Sequence, residues 1–396
     1  MRASHSGCVQ RSSTVAETTG KVIFGAGTVR GLDSLVDGLG AERVLVVSSE
    51  RGLDRAGFGH WRASPRHRIF SGFRSNPDLD DVLAGCALRD AWRPTVVVGL
   101  GGGSGMDTAK LVRALPAGRP AALRCLAGGA DDGPNGPVTG VESLVLVPTT
   151  SGTGSEVTQF ATVFDGDRKH SFDHPLAAAT HALVDPELTV GCPPTVATSC
   201  AMDALCHAVE SLWARRSTDA SRTDARRALD GLVGPLGNRL KEDSPEVRVR
   251  LARAALDAGA AINVTRTTAA HAFAYHLTRR YGVPHGVACL LNLRWLYGYN
   301  AQQLEAYCED DRGPDHVRVQ LETVAAAWRL TVAGVPDHLA GLLSDLGWSP
   351  QLSDYGVREA DLADCVRAGT GSTARAVNNP VRLDESLVLQ AIREIH

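Results

Sequence analysis

The sequence TVVVGLGGGSGMDTAKLVRAL, residues 95–115, decides the fold of this 396-residue chain. A β-branched apolar run precedes three consecutive glycines, and the segment after them has apolar residues at helical spacing. Because glycine has no Cβ, the backbone of this turn can approach a ligand closely, and Ser104 can cap the helix. Free N–H groups at a helix N-terminus favour a pyrophosphate, so the stretch predicts a phosphate-binding turn. A tight strand–helix turn without a ligand would give the same pattern.

Further apolar runs lie on both sides of this stretch, at residues 21–25, 43–49 and 143–150. Short runs bounded by Gly or Pro suit parallel strands that are buried on both faces. Amphipathic segments such as 30–39 and 78–91 lie between these runs and suit helices. The alternation of strand and helix predicts a doubly wound α/β sheet.

The character of the sequence changes after about Pro193, where Ala-, Leu- and Arg-rich segments with helical periodicity replace the strand runs. These segments are 195–216, 220–242, 244–280, 286–308, 314–347 and 357–369. The change predicts a flexible polar leader over residues 1–18, an α/β dinucleotide-binding domain over 19–190 and an all-helical second domain over 191–396.

Charge and composition exclude several classes of protein. The net charge is -3, so no strong field would collect nucleic acid or an anionic membrane. No apolar run approaches the roughly 20 residues that cross a bilayer. The nine cysteines are irregularly spaced and include no Cys-x-x-Cys pair, which favours a reducing cytoplasm over a disulfide framework. We therefore expect a cytoplasmic protein with no nucleic-acid or membrane partner.

A second turn, VPTTSGTGSEVT at residues 147–158, also follows a predicted strand. Its hydroxyl groups, including those of Thr149, Thr150 and Ser155, offer small donors beside flexible backbone. On its own it could be a polar surface loop. Since open α/β sheets bind ligands at the carboxyl ends of their strands, the two turns together favour a nucleotide.

Four side chains in the helical half have the chemistry of metal ligands. Asp203 and His207 are four residues apart on a predicted helix and project from one face. His271 lies on another predicted helix, and His285 follows a Gly–Val–Pro break. A helical i,i+4 pair and buried core histidines are the ordinary alternatives. One carboxylate and three imidazoles with an open position suit Fe²⁺ or Zn²⁺.

The motifs resemble those of the iron-containing, or group III, alcohol dehydrogenases. They are GGGSGMDTAK (101–110), PTTSGTGSEVT (148–158), MDALCHAVE (202–210) and the pair of histidines His271 and His285. His285 lies in the tripeptide PHG (284–286). The resemblance spans roughly residues 20–390 and implies the family's fold, which dehydroquinate synthase shares. It implies Fe²⁺, with Zn²⁺ as the alternative, held by Asp203, His207, His271 and His285.

The resemblance also implies a nicotinamide dinucleotide. Its expected contacts are Gly102, Gly103, Ser104, Asp107, Thr149, Thr150 and Ser155, with Lys169 close to the nicotinamide side. Coenzyme choice depends on VVSSERGL (46–53), after the second strand. If Glu50 binds the ribose hydroxyls, NADH is preferred; if Ser49 does, NADPH is tolerated. We expect NADH, with NADPH as the alternative.

One position departs from the family pattern. Many relatives have a histidine four residues after the third metal ligand, where it is thought to help move the alcohol proton. Here that position is Tyr275, and His276 is next to it. Tyr275 shares the face of His271, whereas His276 is rotated about 140° away on a regular helix. Both are candidate catalytic residues, and solvent is the alternative proton source.

Arginines around the third ligand point to an anionic substrate. The segment 263–286 resembles the phosphonoacetaldehyde reductase branch of the family, as do KHSFDHPL (169–176) and ESLWARRST (210–218). That branch reduces phosphonoacetaldehyde to 2-hydroxyethylphosphonate in the biosynthesis of phosphonate natural products, antibiotics among them. Guanidinium groups recognise such oxyanions, so Arg266, and secondly Lys169, are expected to contact the phosphonate.

Other functions fit the same features. A reductase or dehydrogenase could act on an uncharged small alcohol, a diol or a maleylacetate-like acid. A lyase similar to dehydroquinate synthase would share the fold, the metal and NAD, but would consume no net NADH. A non-catalytic binding module would be expected to have lost metal ligands, and all four candidates are present. The family resemblance also implies a homo-oligomer.

Overall fold

The computed structural model describes residues 20–128, 136–138, 140–166, 168–236, 244–371 and 373–396; the leader predicted over 1–18 lies outside them. One sheet contains the strands β1 (Lys21–Phe24), β2 (Val44–Val47), β3 (His67–Phe70), β4 (Val96–Gly101), β5 (Ser143–Pro148) and β8 (His181–Val184). These six strands are parallel and lie in the order β1-β8-β5-β4-β2-β3. A separate antiparallel hairpin consists of β6 (Phe160–Asp165) and β7 (Arg168–Asp173).

The sheet is covered on both faces. Alternate residues of β2 enter different clusters: Val46 packs with Leu32 and Leu53, whereas Leu45 packs with Met106 and Val112. This is why the strands read as continuous apolar runs. Their covering helices are α1 (Leu32–Gly38), α2 (Glu50–Arg55), α3 (Leu79–Trp92), α4 (Gly103–Ala114) and α5 (Arg119–Leu126).

Helices, most of them long, dominate the described residues after β8. They are α6 (Pro194–Trp213), α7 (Asp219–Gly234), α8 (Pro245–Thr265), α9 (Ala269–Tyr281), α10 (His285–Tyr307), α11 (Pro314–Ala327), α12 (Val335–Asp345), α13 (Leu362–Thr370), α14 (Thr373–Ala376) and α15 (Glu385–Arg393). One large apolar core joins them. The predicted fold class, an α/β half followed by a helical half, is confirmed. The exact division at residues 190/191 stays a prediction.

Two predicted helical segments are each two helices. The segment 244–280 breaks between α8 and α9, where Arg266 has a φ of 60°. Glu210 stabilises the new start, because its carboxylate accepts hydrogen bonds from the backbone N–H groups of Thr268 and Ala270. The segment 314–347 divides into α11 and α12. Among the described helices, none has the length and hydropathy that a membrane span requires.

Candidate active site

A cleft of about 770 Å³ follows the carboxyl edge of the sheet. It begins at the loop after β2, passes the turns after β4 and β5, and ends against α6, α9 and the start of α10. Seven of the predicted dinucleotide contacts line it, namely Gly102, Gly103, Ser104, Asp107, Thr149, Thr150 and Ser155; the predicted contact Lys169 is not among its lining residues. Because β2, β4 and β5 are parallel neighbours, their following loops meet at one edge.

The glycine turn packs closely against the hydroxyl-rich turn. A Cβ on Gly103 would lie 2.8 Å from Thr153 Cγ2, and one on Gly102 would lie 3.3 Å from Thr150 Oγ1. A side chain at Gly103 would therefore displace the second turn as well as narrow the cleft. Glycine at position 103 therefore lets the two turns pack together, in addition to any contact that it makes with a phosphate.

A hydrogen-bonded bridge fixes the same two turns. Ser155 Oγ donates to Asp107 Oδ1 at 2.6 Å, and the other carboxylate oxygen of Asp107 accepts from the Thr162 N–H at 2.9 Å. Asp107 and Ser155 were both predicted as cofactor contacts. They line the cleft, and they also hold α4 against the hairpin β6–β7.

The Glu50 carboxylate is paired with neighbouring side chains. Its carboxylate accepts hydrogen bonds from Arg62 Nε at 2.7 Å and from Ser71 Oγ at 3.0 Å. Ser49, Arg51 and other residues of this loop line the cleft, but Glu50 does not. The Glu50 carboxylate is therefore paired away from the cleft, and its contact with the ribose stays a prediction.

The four predicted metal ligands converge at the other end of the cleft. Asp203 Oδ1 lies 3.2 Å from His271 Nε2, 3.6 Å from His207 Nε2 and 3.8 Å from His285 Nε2. The side chains of Asp203, His207 and His271 are almost fully buried, and all four residues line the cleft. A buried carboxylate shared by three imidazoles is the donor set that Fe²⁺ or Zn²⁺ uses.

Electrostatics put most of these groups in the form that binds a metal. Burial lowers the pKa of His207 to about 4 and that of His285 to about 3. Burial alone would raise the pKa of Asp203, but the three neighbouring imidazoles have the larger effect and lower this pKa. Burial also opposes a proton on His271, yet Glu210 and Asp203 raise its pKa to about 9. A divalent cation would take the place of that proton, so the residues fit a metal.

Glu210 holds His271 in place. The fully buried carboxylate is hydrogen-bonded to His271 Nδ1, and it accepts from Thr268 Oγ1 at 2.6 Å. This arrangement turns His271 Nε2 toward Asp203. Glu210 was not predicted as a site residue from the sequence, although it lies three residues after His207 and seven after Asp203, on the same helical face.

We predict that Glu210→Gln weakens metal affinity about 10- to 100-fold, because a carboxylate behind a ligating histidine fixes its orientation and raises its basicity. The measurement is a competition titration of the purified protein with a chelator. Glu305→Gln, at an exposed glutamate on α10, is the control. An affinity equal to that of the unmodified protein would contradict this role.

Cys289 also lies at this site. One ligand atom from each of Asp203, His271, His285 and Cys289 lies within 4.8 Å of the others, and Cys289 Sγ is 3.7 Å from His285 Nε2. The signal in the sequence was its position four residues after His285 on one helix. Cys289 therefore places a sulfur atom beside the four predicted ligands.

Tyr275 and His276 have different surroundings. The Tyr275 ring lines the cleft and stacks on His285, with ring centroids 5.3 Å apart. His276 does not line the cleft, and its ring lies beside Tyr281. One residue along a helix turns the side chain by about 100°, which carries His276 away from the site. The prediction of a catalytic role for His276 is not supported.

We predict that Tyr275→Phe lowers kcat by less than about tenfold, below the 10²–10⁴ expected for loss of a general acid. The contacts of Tyr275 with His285 and Lys169 use the ring, which phenylalanine keeps. Burial also raises the pKa of Tyr275, which makes its hydroxyl a weaker acid. Steady-state kinetics test this, with Tyr275→Ala as the variant that removes the ring. A fall beyond about 100-fold for Tyr275→Phe would instead assign the proton transfer to the hydroxyl.

Two cations contact the Tyr275 ring. Lys169 Nζ lies 3.0 Å from the ring centroid, and Arg375 Cζ lies 5.0 Å from it. The buried Lys169 Nζ has no hydrogen-bond partner within the described part of the chain. Burial, and then the neighbouring Arg375, lower its pKa well below the usual range. Arg375 lines the cleft and was missed by the sequence analysis.

Arg266 lines the cleft, but its donors are engaged. Arg266 Nε and Nη2 donate to the carboxylate of Asp173 at 2.9 and 2.7 Å, and Nη1 is hydrogen-bonded to the Asn263 carbonyl. The Asp173 carboxylate already compensates the charge of Arg266 and occupies its Nε and one of its Nη2 donors. The predicted substrate role of Arg266 is therefore weakened.

Comparisons with known proteins identify the family of the chain. The profile described as iron-containing alcohol dehydrogenase matches residues 19–186, and the C-terminal profile of the Fe-containing alcohol dehydrogenase family matches 195–396. A phosphonoacetaldehyde reductase of Streptomyces viridochromogenes is 35% identical over 78% of this chain and 79% of its own length. A sulfoacetaldehyde reductase of Bilophila wadsworthia is 26% identical over 92% of this chain and 94% of its own length.

Solved structures show the same fold. The crystal structure of a sulfoacetaldehyde reductase from Bifidobacterium kashiwanohense, in complex with NAD+, superposes with a TM-score of 0.80. It is 24% identical and covers 98% of this chain and 99% of its own. The predicted enzyme class, an oxidoreductase acting on CH–OH groups with iron and a nicotinamide coenzyme, is confirmed at this level. The chain belongs to the iron-containing alcohol dehydrogenase family.

Proposed function

We propose that the protein reduces phosphonoacetaldehyde to 2-hydroxyethylphosphonate, as a step in the biosynthesis of phosphonate natural products. The observation that carries this proposal is the pair of cations on Tyr275, next to the metal ligands. Neither Lys169 nor Arg375 forms an ion pair with a described carboxylate. Burial and the neighbouring Arg375 lower the pKa of Lys169, so its ammonium form is costly in the free protein, and an anionic substrate would stabilise that charge.

The spacing of the groups suits a short substrate. Tyr275 stacks directly on His285, so the ring that Lys169 and Arg375 contact also contacts a predicted metal ligand. A two-carbon aldehyde with a phosphonate at one end would reach both. Arg375 keeps its orientation through Nε, which donates to Thr267 Oγ1 at 3.0 Å, and its remaining N–H groups are available to an oxyanion.

The roles of the other residues follow from their positions. A metal held by Asp203 and the three histidines would polarise the substrate carbonyl as a Lewis acid, and the nicotinamide would supply the hydride. The turns after β4 and β5 bind and orient the dinucleotide along the cleft. Glu210 orients His271, and the Tyr275 ring shields Lys169 from solvent while contacting its ammonium group.

Reduction of sulfoacetaldehyde is the second candidate, since a sulfonate presents similar oxygens to the same cations and a relative with that activity matches most of the chain. The uncharged alcohols and diols fit less well, because they leave both cations without an anionic partner, whereas a maleylacetate-like acid would pair them through carboxylates in place of a phosphonate. Family membership argues against the lyase. Cytoplasmic location and homo-oligomeric assembly stay predictions.

The test is a substrate panel with the iron-loaded enzyme. We expect kcat/KM for phosphonoacetaldehyde to exceed that for propanal by about 100-fold or more, the effect of roughly 3 kcal/mol from charge-assisted hydrogen bonds. Sulfoacetaldehyde should be intermediate, because it carries one negative charge less. Equal efficiency on all three aldehydes would overturn the proposal, and an absence of net NAD(P)H consumption would point to the lyase.

A further inference from the structure

We infer that Cys289 is a metal ligand when Zn²⁺ rather than Fe²⁺ occupies the site, and that it sets the preference of the site between these two ions. The inference rests on the metal site of the proposed function and adds a donor that is not among the four predicted ligands. The zinc–sulfur bond forms with release of the thiol proton to solvent, because the thiolate is the form that coordinates zinc.

The position of Cys289 on its helix supplies the first argument. His285 and Cys289 are four residues apart on α10, as Asp203 and His207 are on α6, so each helix presents two donors on one face. Cys289 Sγ lies 3.7 Å from His285 Nε2. In a tetrahedral zinc shell, a sulfur and a nitrogen ligand are about 3.5 Å apart, since the bonds are about 2.3 and 2.0–2.1 Å long. The separation of the two atoms therefore fits a shared ion.

Close packing of α10 on α6 holds the two pairs of donors together. A Cβ on Gly286 would overlap the carbonyl oxygen of Ser199 and would lie 2.9 Å from the Asp203 nitrogen. The two helices thus approach each other to a distance that glycine allows and a larger residue does not. The Gly286 N–H also donates to Ser199 Oγ at 3.2 Å. This packing places the sulfur beside Asp203 before any ion binds.

The polar surroundings of the sulfur supply the second argument. One ligand atom from each of Asp203, His271, His285 and Cys289 lies within 4.8 Å of the others. Cys289 is fully buried, and His285 Nε2 is the hydrogen-bond partner of its sulfur among the described residues. A cysteine with only a packing role would behave as a small apolar side chain and would need no carboxylate or imidazole beside it.

The chemistry of the donors separates the two ions. Thiolate is a soft ligand that favours Zn²⁺, whereas carboxylate and imidazole also suit Fe²⁺. Zinc takes four donors, and Asp203, His271, His285 and Cys289 supply four from one compact group. Iron keeps the carboxylate and the three imidazoles. Cys289 therefore stabilises bound zinc more than bound iron.

The first experiment is X-ray absorption spectroscopy at the zinc edge, on the full chain loaded with one equivalent of Zn²⁺. Neither coenzyme nor aldehyde is needed. We expect one sulfur neighbour at about 2.3 Å from the zinc in the unmodified protein and none in Cys289→Ser. Cys206→Ser is the matched control and should keep the sulfur neighbour, because Cys206 is a fully buried cysteine on α6 outside the donor group.

The second experiment compares the affinities of the two ions by competition with a chelator. Cys289→Ser should lower the affinity for Zn²⁺ at least about tenfold, since even residues behind a metal ligand contribute that much. The affinity for Fe²⁺ should change by less than about threefold, because the thiolate is the soft ligand of the set. The ratio of zinc affinity to iron affinity therefore falls in this variant.

A zinc shell of nitrogen and oxygen alone in the unmodified protein would overturn the inference, even if the variant failed to fold. So would a sulfur neighbour that survives Cys289→Ser, or an equal fall of both affinities. A shell with sulfur together with equal rates on all aldehydes would support the ligand and overturn the proposed substrate. A protein that binds neither ion would contradict both.

Discussion

Asp203→Ala is expected to lose its bound iron and at least about 10³-fold in kcat/KM, because a Lewis acid contributes several kcal/mol to carbonyl reduction and about 4 kcal/mol corresponds to that factor. Asp203 supplies the only carboxylate among the four predicted ligands, and its Oδ1 lies within 3.8 Å of all three imidazole Nε2 atoms. Metal content by mass spectrometry and steady-state kinetics are the measurements.

Two further variants separate metal loss from misfolding. Asp203→Asn keeps the shape of the side chain but removes its charge, so it should fold and still bind iron weakly. Asp224→Ala removes another buried aspartate from the helical half, and this variant should keep its metal. Retention of a full complement of iron by Asp203→Ala would contradict the ligand assignment.

Arg375→Met and Lys169→Met should each lower kcat/KM for phosphonoacetaldehyde about 10- to 100-fold, since each removes a charged partner worth roughly 1.5–3 kcal/mol. Methionine keeps most of the apolar volume of each side chain. The informative quantity is the ratio of kcat/KM for phosphonoacetaldehyde to kcat/KM for propanal. This ratio should fall toward one in both variants.

Arg266→Met is the matched comparison. Arg266 is already paired with Asp173, so we expect its substitution to change that ratio by less than about fivefold, near the effect of a partly exposed ion pair. A larger effect from Arg266→Met than from Arg375→Met would restore the prediction made from the sequence and contradict the cation pair on Tyr275.

Patterns within short stretches of sequence explain which strands, turns and metal ligands could be predicted. The glycine turn before α4 follows a continuous apolar strand, and the spacing of Asp203 and His207 places both on one face of a single helix. The four predicted strands, β1, β2, β4 and β5, are present because each follows an apolar run in the sequence. The strands that were missed, β3, β6, β7 and β8, are short or carry polar and charged residues, as in RKHSFD of β7.

Tertiary packing explains most of what the sequence analysis missed. Arg375 reaches the site only because the chain near α14 packs beside Thr267, which is 108 residues away in sequence. The start of α9 has no proline or glycine to mark it, and Glu210 from another helix caps it. The sequence alone leaves the Glu50 carboxylate available to a ribose, whereas in the structure it binds Arg62, which lies twelve residues later. Such pairings depend on three-dimensional neighbours.

Anomalous diffraction at the iron edge from crystals of the iron-loaded protein examines the shared metal site without relying on activity. The account predicts one strong peak at the end of the cleft, with Asp203 Oδ1 and the Nε2 atoms of His207, His271 and His285 at about 2.0–2.2 Å. A peak bound by other residues, or an active enzyme without a peak at these four side chains, would contradict it.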